Sequence, residues 1–485
     1  MRRLFFLVIV AFVLLPAFNS CLAAEQMNVI VLLVDDWGWM DAGCQGSDLY
    51  KTPNIDQFAA DGVTFTNGYA ACTVCSPTRA AMMTGMYPGR TRVTDFITGA
   101  QPANAKLLRP DWTQKLEKRH TTLPEAMRAA GYKTAHVGKW HLMPRGKPDM
   151  NDYLPQHHGF DVNIGGNEWG APGSYFFPYG SVRRKVGQLP PGGKEGDYLT
   201  DRLTDEAIKI LHDFKDDPFF LYFPYYNVHT PLMGKKELVD HYAAAIKEDA
   251  HHTNAKYAAM VHSVDESVGR LRQTLTDLKI ADRTIIILTG DNGGLDRNNT
   301  PTDNHPLRAG KGTAYEGGVR VPTFVYVPGM TQAKTTCHTP VITCDFYPTI
   351  LELTGANGTD DHNEHVDGVS IVPLLKNAAG SLGRTDLFWH YPHYHSCGAT
   401  PHSAIRSGDW RLIEFFEDHH LELYDLKNDI GETKNLAKSN PDLANTLRTK
   451  LHAWRTSVDA QLPSANPAYK PDTKLRKRTG KKTGK

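Results

Sequence analysis

Long apolar runs are scarce in this sequence. After the opening stretch "MRRLFFLVIVAFVLLPAFNSCLAAEQ", no run is long enough to span a bilayer. Charge of one sign is missing too: 54 Lys and Arg face 53 Asp and Glu, a net charge of +1. That balance excludes a dedicated nucleic-acid binder. No period of roughly 20–50 residues recurs, which excludes solenoids and propellers. Cysteine is sparse, seven in 485 residues. Cys44, Cys72, Cys75, Cys337, Cys344 and Cys397 follow the opening stretch. They are scattered and no CxxC pair recurs at metal-binding spacing, so neither structural zinc nor a dense disulfide framework is expected.

What is present begins with the opening stretch itself. Two arginines, an apolar run and the small residues Ala23 and Ala24 read as a signal peptide over residues 1–24. A lipid-attachment box at Cys21 is the alternative, although Phe18 fits such a box poorly. The expectation is export, periplasmic or secreted, into an oxidising compartment, with no transmembrane segment after cleavage. A bridge between Cys337 and Cys344 is possible there.

"NVIVLLV" at 28–34 is a continuous β-branched and leucine run, the pattern of a strand buried on both faces. "TLPE" opens a helix over 122–131 with a capping box. "YKTAHV" at 132–137 and "PFFLYF" at 218–223 read as strands, and 200–215 as a helix. Tyr257, Val261, Val264, Val268, Leu271 and Leu275 form one apolar stripe of a long helix leading into the strand "TIIILTG". Strands alternating with helices predict an α/β doubly wound sheet. From about residue 380 the pattern alternates as in antiparallel strands, with a turn at 407–409 and a closing helix near 441–457. This predicts a smaller α+β C-terminal domain. The expected division is 25–378, 379–468 and a basic tail at 469–485.

Two of the apolar strands end in oxygen ligands: Asp35 and Asp36 after the first, Asp291 and Asn292 after the late one. Singly, "DD" and "DNG" are common turns. Together, at the carboxyl ends of buried strands, they point to a hard cation, calcium or magnesium rather than zinc. Lys139 and His141 follow the 132–137 strand, and alternation along an extended segment aims both the same way. His229 follows the 218–223 strand, and Lys311 sits in a glycine-rich loop. Cations at strand ends near a metal predict a pocket for an oxygen-rich anion. "CTVCSPTRAAMMTG" adds Cys75 and Arg79. On residue chemistry alone Cys75 is a buried thiol, half of a disulfide with Cys72, or a precursor of something else. The ester is equally a sulfate or a phosphate.

"CSPTRAAMMTG" resembles the signature of type I sulfatases, Cys-x-Pro-Ser/Ala-Arg followed by x-x-x-Leu-Thr-Gly. Thr78 and Met83 depart from it. "GYKTAHVGKWHL" is similar to the second signature of the family. "VLLVDD", "TGDNGG", "LRAGKGTAYEGGVRVP" and "LELYDLKNDIGETKNLA" are similar to further sulfatase segments in the same order. The resemblance implies the alkaline-phosphatase-like fold, a large mixed α/β domain and a small C-terminal sheet domain. It makes Asp35, Asp36, Asp291 and Asn292 ligands of one Ca²⁺, with Cys75 completing the site. It implies that a formylglycine-generating enzyme oxidises Cys75 to formylglycine during export. The hydrated aldehyde then attacks sulfur, His229 protonates the leaving oxygen and Lys311 holds the sulfate. His141 takes the proton that releases sulfate, and Arg79 and Lys139 stabilise the diol and the developing charge. The expected substrate is a sulfated saccharide or an aryl sulfate.

Two stretches are candidate rims for a sugar: "FWHYPHYHSCGATPHS", with His390, His393, His395 and His402, and "NEWGAPGSYFFPYG" at 167–180. The first is alternatively an ordinary His-rich loop or a zinc site. Rival readings of the whole chain are a phosphodiester or phosphonate monoester hydrolase using the same aldehyde, and a non-catalytic binder of sulfated glycans.

Overall fold

The computed structural model describes residues 26–180, 184–298 and 300–471. The leader at 1–24, Cys21 and the tail beyond 471 lie outside the described residues. Eight strands build the main sheet: β1 (Asn28–Val34), β2 (Val63–Phe65), β3 (Lys133–Val137), β4 (Val162–Ile164), β5 (Phe219–Pro224), β6 (Thr284–Gly290), β7 (Thr323–Tyr326) and β8 (Thr335–Cys337). Their order across the sheet is β8-β2-β7-β6-β1-β5-β3-β4. All neighbours are parallel except that β7 runs against both β2 and β6. The sheet is therefore mixed.

β1 shows why a continuous apolar run belongs at the centre. Ile30, Leu32 and Val34 point into one hydrophobic core, and Val29, Val31 and Leu33 into another on the opposite face. The first core is closed by α1 (Pro53–Asp61), α4 (Leu199–Phe214) and α5 (Ala255–Asp277), whose apolar stripe is the one legible in the sequence. The second is closed by α2 (Cys75–Thr84) and α3 (Leu123–Ala129).

α3 starts where expected. Thr122 Oγ1 accepts from the Glu125 N–H, and the Glu125 carboxylate accepts from the Thr122 N–H at 2.8 Å. The helix ends at Ala129, short of the expected 131, because Gly131 has already turned to a φ of +89°. Thr122 Oγ1 also donates to the His158 carbonyl at 2.7 Å. Thr122→Ala is expected to destabilise the protein by about 1–2 kcal/mol, read as a lower urea midpoint with unchanged slope.

The C-terminal region is an antiparallel sheet of β9 (Asp386–Tyr391), β10 (His402–Ser407), β11 (Trp410–Phe415) and β12 (Leu421–Asp425), covered by α6 (Pro441–Ser457). It shares a core with Tyr69, Ala71 and Ala81 of the main body. The buried Arg411 donates to Glu316 Oε1 at 2.9 Å and to the Ala314 carbonyl at 2.8 Å. Trp389 Nε1 donates to the Ala70 carbonyl at 2.9 Å. The small sheet thus braces the chain just before Cys72 and just after Lys311.

All six described cysteines are free thiols. The bridge considered between Cys337 and Cys344 is absent because the two belong to different cores. Among the described residues no helix is long and apolar enough to cross a membrane.

Candidate active site

The parallel register sets Val34 beside Gly290, so the two acid-bearing strand ends of β1 and β6 lie side by side. Asp36 takes a left-handed φ of +58°, and its N–H donates to Asp291 Oδ1 at 3.2 Å. Cys75 is the first residue of α2, and every residue of that helix is buried. Arg79, one turn on, donates through Nε and a terminal nitrogen to Asp291 Oδ2 at 3.0 and 2.7 Å, and to the Lys139 carbonyl at 2.8 Å. Lys139 Nζ meets Asp35 Oδ2 at 2.6 Å. Lys311 Nζ meets Asp36 Oδ1 at 2.5 Å and lies 3.8 Å from the Cys75 sulfur. Asn292 Nδ2 donates to Asp36 Oδ1 at 2.9 Å.

Two histidines complete the ring. His229 Nδ1–H faces the Thr230 carbonyl at 2.7 Å, which leaves Nε2 3.7 Å from Asp36 Oδ2. Tyr175 fixes this turn from below, donating to the Tyr226 and His229 carbonyls at 2.5 and 2.8 Å. His141 Nε2–H donates to the Ile97 carbonyl, and Nδ1 is buried without a partner. Ser76 Oγ donates to the His141 carbonyl at 2.9 Å and accepts from the Ile97 N–H at 3.1 Å, so the residue after Cys75 fixes that arrangement.

Lys139 and His141 both reach the site, but not along the extended segment that alternation assumes. Lys139 is wholly buried beneath the site, whereas His141 lines the cavity. The backbone is not extended there: Gly138 has a φ of +120° and His141 one of +58°. A Cβ on Gly138 would sit 2.0 Å from the Pro224 carbonyl, which accepts the Lys139 N–H at 2.8 Å. Only glycine lets β3 turn under the site in this way.

Burial raises Asp35, against the pull of Lys139. Burial acts the same way on Asp36, but Lys311, His229 and Lys139 hold it below the usual carboxylate range. Burial pushes the Cys75 thiol up to about 11, ahead of the lowering by Lys139 and Lys311. Burial and then Lys311 bring His229 down to about 3. Burial and then Lys139 also take His141 well below its ordinary range.

The donor set suits a hard cation. One oxygen each of Asp35 and Asp291 and the Cys75 sulfur lie within 4.8 Å of one another, and so do ligand atoms of Asp36, Cys75 and His229. Asp35 Oδ1 and Asn292 Oδ1 are buried without hydrogen-bond partners. Asp35 Oδ1 has only an Arg79 terminal nitrogen at 3.7 Å, and buried oxygens without hydrogen bonds are costly unless something else meets them.

Above these groups opens a cavity of about 630 Å³. Asp36, Cys75, His141, His229 and Lys311 line it; Asp35, Arg79, Lys139, Asp291 and Asn292 lie beneath. Of the four rim histidines only His395 reaches the cavity. His390 is bonded to Ser403 Oγ and the Gln461 carbonyl, His393 to Thr94 Oγ1, and His402 to the Thr400 carbonyl. All three are buried: His390 and His402, in β9 and β10, bond within the C-terminal region, and His393 ties it to Thr94 of the main body. From the second stretch, Trp169, Gly170 and Ala171 line the cavity. Phe176 and Tyr179 face a separate hollow beside Lys235. Arg145, Arg184 and Arg297 also line the site. The sequence does not single them out, since Arg145 and Arg297 are lone arginines in loops and Arg184 sits in the short basic run Arg183–Lys185, none of them in a motif.

A sulfatase family model matches residues 27–356, and a model of the C-terminal region of N-sulphoglucosamine sulphohydrolase matches 309–457. A sulfatase of Formosa agariphila is 32% identical over 89% of this chain and 89% of its own length. The N-acetylgalactosamine-6-sulfatase of Homo sapiens is 32% identical over 73% of this chain and 66% of its own. Among solved structures, Ps i-CgsB superposes with a TM-score of 0.72 at 29% identity, covering 89% of this chain and 93% of that one. The expected alkaline-phosphatase-like architecture is the one observed. The signature around Cys75 thus lies inside a match that runs through most of the fold, and this chain belongs to the sulfatase family of sulfuric ester hydrolases.

Proposed function

We propose that the protein hydrolyses sulfate esters of saccharides, using a formylglycine made from Cys75 and one Ca²⁺ held by Asp35, Asp36, Asp291, Asn292 and residue 75. The observation that carries this reading is the place of Cys75. It opens α2 at the floor of the cavity, against the ends of β1 and β6 and 3.8 Å from Lys311 Nζ. The oxidation belongs to the formylglycine-generating enzyme and, with the leader pattern at 1–24, to export.

When present, the cation and the hydrated aldehyde supply a Lewis acid and an oxygen nucleophile. The chain's own residues do the rest. Arg79 and Lys139 fix Asp291 and Asp35 through charge-assisted hydrogen bonds, so the ligand oxygens do not reorganise during reaction. Lys311 spans Asp36 and residue 75 and holds a sulfate oxygen. His229 presents Nε2 to the leaving oxygen. It is neutral in the free site, and the negative charge of an arriving sulfate favours its protonated form. His141 has Nε2–H committed to Ile97, so its unpartnered Nδ1 accepts a proton at residue 75.

The saccharide part rests on the relatives. One acts by name on N-acetylgalactosamine-6-sulfate, and Ps i-CgsB has been solved with k-i-k-neocarrahexaose. A desulfation screen on defined sulfated saccharides, with matched phosphate esters alongside, tests the reading; faster turnover of the phosphates contradicts it. His229→Ala is expected to lower kcat/KM on a saccharide sulfate by roughly 10²–10⁴-fold. An aryl sulfate, whose phenolate needs little protonation, should lose far less. Equal losses on both rule His229 out as the proton donor.

A further inference from the structure

The Ile97 carbonyl that orients His141 belongs to a loop, 94–100, and that loop is held from the C-terminal region. Thr94 Oγ1 lies 2.8 Å from His393 Nε2. Asp95 Oδ1 accepts from the Tyr391 hydroxyl at 2.7 Å and from the Phe96 N–H at 2.9 Å. Phe96 and His395 meet edge to face, with ring centres 5.6 Å apart. Three consecutive loop residues thus each meet one of Tyr391, His393 and His395, alternate residues of one segment. Phe96, Ile97, Thr98, Gly99 and Ala100 line the catalytic cavity, whereas Thr94 and Asp95 are wholly buried. Tyr391 and Phe96 also pack with Cys72 and Val74, which lead into Cys75.

A loop in a cavity wall is ordinarily among the more mobile parts of a fold. Here its carboxylate is sunk into the protein at a cost. Asp95 Oδ2 is buried without a hydrogen-bond partner, and so is His393 Nδ1, 3.9 Å away. Apolar groups of the same shape would join the two regions without leaving such atoms unpaired. What a carboxylate adds is control over the direction of the next peptide groups. By accepting from the Phe96 N–H, Asp95 Oδ1 sets the chain that reaches the Ile97 carbonyl one residue later. Gly99, at a φ of +69°, lets the loop close over the same carboxylate, since a Cβ there would lie 2.7 Å from Oδ2. Ile97 is fixed at its N–H by Ser76 Oγ, 3.1 Å away, and its carbonyl faces His141. Resting on the reading of His141 as the base that releases sulfate, we propose that Asp95 and Tyr391 are positioning residues for that step. The Tyr391 hydroxyl holds the Asp95 carboxylate, the carboxylate holds the loop, and the Ile97 carbonyl holds His141 with Nδ1 available to residue 75. The C-terminal region thus acts on sulfate release and not on cleavage of the ester, which is left to His229 and Lys311.

The test uses an aryl sulfate and Tyr391→Phe, which removes one hydroxyl and keeps the ring. Slower release after unchanged cleavage lowers kcat and KM together and leaves kcat/KM as it was. The kcat should fall about tenfold, with kcat/KM within about twofold of wild type and a first-turnover burst of phenolate at full amplitude. Asp95→Asn, the larger change, should lower kcat about a hundredfold in the same pattern. In His141→Ala protein Tyr391→Phe should cost nothing further, since the group it positions is gone. A merely structural loss would instead shrink the burst, lower kcat/KM as far as kcat, and add to the loss from His141→Ala. Any of these results, or an unchanged kcat, overturns the inference. Hydrogen exchange reads the loop without the chemistry. Peptides over residues 94–100 should exchange about tenfold faster in Tyr391→Phe while β1 is unchanged, and equal exchange overturns the inference too. Wild-type protein that cleaves no sulfate ester counts against the sulfatase reading, and exchange then still decides whether Tyr391 holds the loop. Should Asp95→Asn fail to fold, Tyr391→Phe carries the test alone.

Discussion

Cys75→Ala should lose at least about four orders of magnitude in turnover while keeping its fold, because on the proposed mechanism it removes the nucleophile itself. The Cys75 sulfur accepts one weak hydrogen bond, 3.8 Å from Lys311 Nζ. Deleting one sulfur from a packed helix start costs about 1 kcal/mol of stability, so melting should move by a few degrees at most. Cys75→Ser should be as inactive in steady state. A serine oxygen can accept a sulfuryl group, but its ester then needs water to attack a hindered anionic sulfur. A hydrated aldehyde has a second hydroxyl, and a base at that hydroxyl is enough to expel sulfate. His141 Nδ1, buried and unpartnered, is placed to be that base. Activity retained by either variant contradicts the account.

Exhaustive chelation of divalent cations should lower turnover by roughly a hundredfold or more, since several kcal/mol of charge stabilisation go with the ion. Added Ca²⁺ should restore it, and Zn²⁺ should not, because the site offers oxygen donors. The fold should survive chelation. Asp35, Asp36 and Asp291 each already face a cation, Lys139, Lys311 and Arg79 respectively. The loss of stability is then the mass-action term alone, about 2.7 kcal/mol at a hundred times the dissociation constant. Scanning calorimetry at two Ca²⁺ concentrations reads it. Unchanged turnover and melting after chelation would leave the carboxylate cluster as a purely structural ion-pair network.

Much of this site was legible in the sequence because strand chemistry is local. "NVIVLLV" and "TIIILTG" each carry an unbroken apolar run, 29–34 and 285–288, with no alternation that would leave one face polar, which marks both as central strands. Acids at their ends therefore had to converge if the two were neighbours, and the Val34–Gly290 register makes them so. The alternation after residue 380 likewise became a four-stranded antiparallel sheet.

What failed depended on contacts no local pattern carries. Lys139 lies beneath the cavity and His141 in its wall because the backbone leaves the extended region at Gly138 and His141. His390 and His402 were absorbed by the packing of the small domain and His393 by its contact with Thr94 of the main body, leaving His395 alone of the four at the cavity. Arg145 and Arg184 come from separate loops and meet at Trp169. The Ile97 carbonyl that orients His141 is a backbone group, invisible to any residue-type argument.

The most direct measurement is peptide mass spectrometry across residues 72–79 of protein matured in its own secretory route, paired with an aldehyde-reactive probe. The account predicts that residue 75 carries an aldehyde and captures the probe. An intact thiol there, in a preparation that cleaves sulfate esters, would contradict it.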